Sequence, residues 1–226
     1  MTRLRPSSGE PPLLAEKESQ LISGAREGND DAFDQLVLAH QGRVYNTAYR
    51  ILGDHAAAED ATQDTFVSAY RAIRRFRGGS FQGWLLRIAT NACYDQIRRS
   101  ARRPSTSLEA LEAEPEDAFL ATAESEDPEA VAEKRELGTI LEEAILSLPT
   151  EQRITLVLVD VQGLDYREAA EATGVRVGTV KSRLSRARYA LRDRLQEDRE
   201  LLPSRYRLKG DDEPEAGDGS GDARES

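Results

Sequence analysis

The strongest constraint on the fold lies between Tyr166 and Leu195, where the sequence predicts two helices joined by a tight turn. Asp165 and Glu168 have the spacing of a capping box, so a helix should begin at Tyr166. Gly174 is the permissive residue that commonly follows the end of a helix, and the chain should turn there. The pattern therefore indicates a helix-turn-helix.

The second helix of this pair should be amphipathic, with cations along its polar side. Its apolar residues recur at spacings of three and four and would pack inward: Val177, Val180, Leu184, Ala187 and Leu191. The opposite face and its flanks are small, polar or basic: Gly178, Thr179, Lys181, Ser182, Arg183, Ser185, Arg186, Arg188, Tyr189 and Arg192. Such a face suits a DNA groove, although a solvated amphipathic helix would have a similar composition.

The charge of the chain is distributed unevenly. Residues 167–194 contain eight Lys and Arg against three acids, whereas the whole chain of 226 residues has a net charge of −10. Nine acids and no bases lie in residues 104–132, and seven acids against two bases lie in residues 209–226. The remainder is mildly basic, so the acidic whole-chain charge does not argue against nucleic-acid binding.

The first half of the chain predicts three helices before a loop. A short helix is expected over 18–27, with Gly28 and Asn29 as the break and Asp30 or Asp31 as the next cap. A long helix, or two joined near Gln41, should then end at Gly53. A third helix over 56–74 should expose a polar and largely acidic face: Asp60, Gln63, Asp64 and Arg71.

The loop from Phe76 to Phe81 combines aromatic side chains, Arg77 and two glycines. It could hold an unstacked base, or the two phenylalanines could serve only as core residues. The helix after it should begin near Gln82 and present one polar stripe: Arg87, Asn91, Tyr94 and Arg98. These side chains can grip phosphates and stack on unpaired bases, and a purely solvated face is the alternative.

The organisation that follows is all-α, with two helical domains joined by an acidic linker. We expect a leader at 1–17, a first domain at 18–103, a linker at 104–129, a second domain at 130–196 and a disordered acidic tail at 197–226. The linker could serve for solubility or compete with DNA for the basic faces. The tail could be passive or regulatory.

The remaining chemistry-bearing residues argue against an enzyme. Cys93 is the only cysteine, and the two histidines are isolated, so neither a disulfide nor a metal site is expected. Cys93 is expected to be a small core residue. We expect no cofactor and no small-molecule substrate. The absence of a long apolar run and of a signal-peptide core predicts a cytoplasmic protein without direct membrane insertion.

Several short motifs follow one another along the chain, and their order and spacing are informative together. They are residues 58–66, 69–72, 76–78, 84–89 with Asn91, 148–149, 163–166 and 178–183. In these motifs the chain resembles a bacterial RNA polymerase sigma factor of the extracytoplasmic-function group, within the sigma-70 family. The resemblance covers residues 19–196.

The resemblance implies a role for each face. The first domain would be sigma region 2, whose helix over 60–71 docks on core RNA polymerase through Asp60, Gln63, Asp64 and Arg71. The minus-ten promoter element would be melted and read by Phe76, Arg77, Arg87, Asn91, Tyr94 and Arg98. The second domain would be region 4, which reads the minus-thirty-five element. Lys181, Ser182, Ser185 and Arg186 would face bases there, with Arg183 and Arg188 on phosphates.

The implied partners are therefore core RNA polymerase, promoter DNA and an anti-sigma protein. The alternative function is an autonomous helix-turn-helix regulator, which would need a dimer interface or an effector pocket that the sequence does not indicate. A third interpretation, a nucleic-acid hydrolase, rests only on scattered carboxylates.

Overall fold

A computed structural model describes residues 12–102 and 128–197, and the regular elements in those ranges are all helical. The helices are α1 (Pro12–Glu27), α2 (Asp30–Leu52), α3 (His55–Ala72), α4 (Phe81–Arg102), α5 (Pro128–Leu146), α6 (Thr150–Leu156), α7 (Tyr166–Thr173) and α8 (Val177–Glu197). The predicted all-α fold is confirmed. The predicted linker and acidic tail fall almost wholly outside the described residues, as do residues 1–11 of the expected leader.

Two boundaries near the N-terminus differ from expectation. The first helix begins at Pro12 rather than at Glu18. Proline is compatible with this position, because its missing N–H costs no hydrogen bond in the first turn. The cap of α2 is Asn29, whose side chain accepts a hydrogen bond from the Ala32 amide at 3.1 Å. The two aspartates expected as caps lie in the first turn instead, where they favour the helix dipole.

The long second helix is continuous, so the possible break near Gln41 does not occur. It ends at Gly53, whose φ of 71° is the left-handed conformation expected of a C-cap glycine. Helices α1 to α4 enclose an aromatic and aliphatic core that includes Phe33, Leu36 and Leu85. This packing fixes α3 and α4 side by side and leaves one face of each exposed.

The C-terminal helices form the second unit around Ile154, Leu158 and Leu184, which are all buried. Helix α6 continues into a π-helical segment, Val157–Val161, in which the Gln162 amide donates to the Val157 carbonyl at 2.9 Å. Gly163, with a φ of 73°, then reverses the chain into the helix-turn-helix.

The two units are in contact. Helix α7 packs against α4, and α2 packs against α5 and the end of α6. One buried cluster therefore contains Ile51 and Leu86 of the first unit together with Ile145 and Leu158 of the second. The sequence predicted two helical units but no such contact between them.

None of the helices in the described ranges is both long and apolar enough to cross a membrane. Within the same ranges, no group of three or more His, Cys, Asp and Glu side chains is placed to hold a metal ion.

Candidate nucleic-acid interface

The helix-turn-helix forms as the sequence predicts. Asp165 Oδ1 accepts from the Glu168 amide at 2.8 Å, and Glu168 Oε2 accepts from the Asp165 amide at 2.9 Å, which completes the capping box. Gly174 ends α7 with a φ of 69°, and the Val175 amide donates to the Ala170 carbonyl at 3.1 Å. These local bonds fix the angle at which α8 leaves the turn.

Helix α8 buries its apolar face and exposes its polar face. Val180, Leu184 and Ala187 are buried. The residues expected to face bases are exposed and lie on the first three turns: Lys181, Ser182, Ser185 and Arg186. Tyr189 continues this face with 74% of its surface exposed. The arrangement is that of a recognition helix, an exposed polar face carried on a packed scaffold.

The two arginines expected on phosphates are held by carboxylates of the same unit. Arg188 donates through Nε and Nη2 to both carboxylate oxygens of Asp160, at 2.9 and 2.6 Å. This bidentate bond raises the pKa of Arg188. Arg183 Nη1 lies 2.7 Å from Glu151 Oε2. Phosphate contacts by these arginines would therefore have to share or replace the carboxylates.

The loop between α3 and α4 forms a small cavity, about 340 Å³, beside the start of α4. Phe76 and Phe81 are both 4% exposed and contact each other with their ring centroids 5.7 Å apart. Both are core residues, which was one of the two open alternatives. Phe76 supports the loop rather than offering an exposed ring. Arg77 stays exposed at the cavity, and Gly78 and Gly79 have φ of 94° and 98°.

The polar stripe on α4 is present, but its members differ in surroundings. Arg87, Asn91 and Arg98 are exposed, and Arg98 forms an ion pair with Asp95 at 2.5 Å. Tyr94 is half-buried, and its hydroxyl donates to Glu151 Oε2 at 3.1 Å. Burial and the neighbouring Glu151 carboxylate raise the pKa of Tyr94 to about 12. The phenol is therefore neutral and remains a hydrogen-bond donor at physiological pH.

Helix α3 exposes the four residues assigned to the polymerase contact: Asp60, Gln63, Asp64 and Arg71. The structure adds Val67, an apolar side chain that falls in the middle of this face with 43% of its surface exposed. An exposed valine among polar residues is typical of the apolar centre of an interface. Helical spacing could have placed Val67 on this face, since it lies four residues from both Gln63 and Arg71.

Three residues at the contact between the two units escaped the sequence analysis. Gln82 Nε2 donates to the Gln162 carbonyl at 2.9 Å, and Glu151 contacts both Tyr94 and Arg183. These partners lie 32 to 80 residues apart, so no local pattern in the sequence could have paired them.

The all-helical fold and the exposed polar faces are those of a DNA-binding protein with a helix-turn-helix. The sequence profile of sigma-70 region 2 matches residues 36–103, and that of sigma-70 region 4 matches residues 139–191. The chain belongs to the sigma-70 family, in its extracytoplasmic-function group of RNA polymerase sigma factors. Its class of function is that of a promoter-directing sigma factor, and the autonomous regulator is not favoured. The family brings no catalytic function with it.

Curated relatives carry the same description. The ECF RNA polymerase sigma factor SigE of Mycolicibacterium smegmatis is 43% identical over 164 residues, which is 73% of this chain and 62% of the relative. This chain therefore spans less than two thirds of that relative. The RNA polymerase sigma-H factor of Pseudomonas aeruginosa is 36% identical over 186 residues, 81% of this chain and 96% of the relative. The ECF RNA polymerase sigma-E factor of Escherichia coli K12 is 37% identical over 180 residues, which is 78% of this chain and 93% of the relative.

Two solved structures share the fold. CnrH in complex with the cytosolic domain of CnrY aligns with a TM-score of 0.56 and 30% identity, over 80% of this chain and 99% of CnrH. The sigma factor RpoE of Bartonella quintana, in complex with the anti-sigma factor NepR, aligns with a TM-score of 0.55 and 28% identity. The alignment covers 74% of this chain and 98% of RpoE.

Proposed function

We propose that this chain binds core RNA polymerase and reads a promoter at two points in the cytoplasm. The observation that carries the proposal is the pair of exposed polar faces, one on α4 and one on α8, on units that match sigma regions 2 and 4. The minus-ten surface consists of Phe76, Arg77, Arg87, Asn91, Tyr94 and Arg98, with Phe76 as a buried support. The minus-thirty-five surface consists of Lys181, Ser182, Arg183, Ser185, Arg186 and Arg188.

The chemistry of each surface fits its assigned DNA. On α8, Lys181 and Arg186 can donate to base edges in the major groove, and small serines allow close approach. On α4, Arg87 lines the cavity of the 76–80 loop, which could receive an unstacked base, and Asn91 is exposed one turn further along the helix. Binding energy at trapped bases would offset their unstacking, about a few kcal/mol per base, without covalent chemistry by the protein.

The polymerase surface is the exposed face of α3, formed by Asp60, Gln63, Asp64 and Arg71 around Val67. Polymerase binding is what makes the two DNA surfaces useful, because separate cation contacts are screened at cellular salt. Tethering both readers to one enzyme raises the effective concentration of the second after the first has bound.

An anti-sigma protein is the proposed regulator. Two similar solved structures are complexes, one with an anti-sigma factor and one with the cytosolic domain of CnrY. In this chain an apolar groove of about 790 Å³ runs between α5, α6 and α8, lined by Leu141, Ile145, Leu156, Leu191 and Leu195 among others. Such a groove suits the apolar face of a partner helix.

The decisive experiment mixes the full chain with core polymerase and measures co-elution and run-off transcription on promoters recovered from holoenzyme-bound DNA. We expect co-elution and initiation at defined start sites. Asp64→Lys and Val67→Asp should each reduce co-elution, whereas Glu136→Lys on α5, outside the proposed surface, should not. A chain that folds but neither co-elutes nor initiates would refute the proposal.

A further inference from the structure

Tyr166 is an aromatic residue at the surface of the helix-turn-helix. It is the first residue of α7, and the capping box at Asp165 fixes the turn that carries it. Leu164 is buried, whereas 38% of the Tyr166 surface is exposed. The Tyr166 ring therefore lies at the edge of the second unit rather than in its core, and its role has to come from its surface contacts.

Two cations of α8 interact with this side chain. The Lys181 ammonium nitrogen lies 5.6 Å from the centroid of the Tyr166 ring, within the range of a cation–π interaction. Arg188 lies about two turns further along the same side of α8. The pKa of Arg188 is raised chiefly by its hydrogen bonds to Asp160, and the Tyr166 phenol adds a smaller contribution. One residue of α7 thus interacts with two members of the proposed minus-thirty-five surface.

The ring holds Lys181 differently from the way in which carboxylates hold the neighbouring arginines. Arg183 and Arg188 face carboxylates, whose negative charge a DNA phosphate would have to replace. Lys181 is exposed and has no ion-pair partner within the described ranges of the chain. A neutral ring attracts the ammonium without neutralising its charge. The ammonium has three N–H donors, so those directed away from the ring stay available to a base edge.

Ordering a lysine side chain on DNA costs rotamer entropy, because its four-carbon stem is flexible. A ring that already restricts the Lys181 ammonium reduces the loss at the moment of binding. In the major groove, lysine donates to O6 and N7 of guanine. The direction in which the ammonium is held therefore decides which base pair it can read.

We propose that Tyr166 is a positioning residue for base reading, and that its ring directs the Lys181 ammonium at one guanine of the minus-thirty-five element. Tyr166 acts through Lys181 and touches no base itself. The inference rests on the proposed minus-thirty-five surface. It goes beyond that surface because it assigns part of the base preference of α8 to a residue of α7.

The first test measures base preference. Holoenzyme assembled from the full chain binds a duplex promoter recovered from holoenzyme-bound DNA, and competitor duplexes carry each single base-pair change in the minus-thirty-five element. Lys181→Ala identifies the base pair that Lys181 reads, as the one at which discrimination is lost. Tyr166→Leu removes the ring and keeps an apolar side chain, whereas Tyr166→Phe keeps the ring and removes only the hydroxyl.

We expect Tyr166→Leu to lower discrimination at that base pair about two- to fivefold and to leave the preference at the other positions unchanged. Tyr166→Phe should keep the wild-type preference, since the ring is what holds the ammonium. In the Lys181→Ala background, Tyr166→Leu should cause no further loss of discrimination at that base pair, because the two residues act as one unit.

Arg186 supplies the matched control on the same helix. By the helical period it lies about 140° around α8 from Lys181. The double variant Tyr166→Leu/Arg186→Ala should therefore show the sum of the two single losses in binding free energy, whereas Tyr166→Leu/Lys181→Ala should show less than the sum.

Three results would overturn the positioning role while the proposed surface stands, with Lys181→Ala still losing discrimination at one base pair. The first is an unchanged preference in Tyr166→Leu. The second is a loss of affinity that is equal on all duplexes, which a merely structural role would cause. The third is the same loss of preference in Tyr166→Phe, which would assign the effect to the hydroxyl. If Lys181→Ala keeps full discrimination at every position, the proposed surface is wrong and the inference is refuted with it.

A second measurement needs no DNA. Protons above the face of an aromatic ring resonate upfield, so the ε-methylene protons of Lys181, assigned by their loss in Lys181→Arg, should be shifted upfield in the full chain. The shift should persist in Tyr166→Phe and disappear in Tyr166→Leu, with folding of each variant checked by circular dichroism. Unshifted Lys181 protons in the wild-type chain would overturn the proposal, whether or not Tyr166→Leu folds.

Discussion

Cys93 should react slowly in the folded chain. Its side chain is fully buried on α4, and burial raises the pKa of its thiol to about 12. The thiolate is the reactive form, so at pH 8 its population should be about 1,000-fold lower than that of a thiol with the ordinary value of 9.0. We expect a disulfide reagent to modify Cys93 at least about 100-fold more slowly in the native chain than in urea.

The control for this measurement is the chain with the exposed S68C substitution, whose added thiol should react at nearly the same rate in both solvents. Rapid modification of Cys93 in the native chain would show that α4 opens often enough to expose its buried face.

Two arginines of α8 lie against carboxylates, Arg188 through a bidentate hydrogen bond and Arg183 through an ion pair alone. Arg188 is paired with Asp160 of the π-helical segment and Arg183 with Glu151 of α6. Both acids come from the scaffold of the same unit, so these pairs also orient the long side chains before DNA arrives. Arg186 has no ion-pair partner among the described residues, which leaves it available to a base edge.

At the scale of elements, α7 depends on its capping box, because eight residues form too short a helix to be stable alone. Asp165→Ala removes the side-chain acceptor of the Arg167 and Glu168 amides. We expect a loss of about 1 kcal/mol in the free energy of unfolding and a fall in Tm of roughly 2–4 °C, measured by circular dichroism.

Asp193→Ala serves as the comparison for that variant. It also removes an exposed aspartate, but from the last two turns of α8, where an acid does not favour the helix dipole. It should change stability by less than about 0.5 kcal/mol. A similar loss in both variants would mean that the cap contributes nothing specific.

The elements that the sequence predicted well are those fixed by local chemistry. The capping box at Asp165, the C-cap at Gly53 and the burial of one face of α8 all follow from residues within a few positions of each other. The π-helical turn at Val157–Val161 was missed because an apolar run looks the same in either kind of helix.

The candidate surfaces show the same contrast between features set by local spacing and features set by distant contacts. Exposure along the α4 stripe follows from helical periodicity, and it holds for Arg87, Asn91 and Arg98. The environment of Tyr94 depends on Glu151, 57 residues away, and could not be inferred from spacing. Phe76 was assigned to DNA by resemblance, whereas its burial is a matter of packing against Phe81 and Trp84.

At the scale of the whole molecule, the proposed function assigns a separate step to each of the two units, and variants should distinguish these steps. Arg186→Ala removes an exposed donor from the recognition face of α8, so we expect about tenfold weaker binding of holoenzyme to duplex promoter DNA. Asn91→Ala leaves that face intact and removes a proposed contact to the opened strand. It should mainly slow promoter opening, followed by permanganate reactivity of unpaired thymines.

A promoter that is already unpaired at the minus-ten element provides the discriminating template. Opening is not required there, so the defect of Asn91→Ala should shrink to the loss of one strand contact. Arg186→Ala should keep its full defect, because the minus-thirty-five element of the template is still duplex. Equal defects of the two variants on this template would contradict the division of roles, since a chain that reads DNA at two points must lose different steps when each point is damaged.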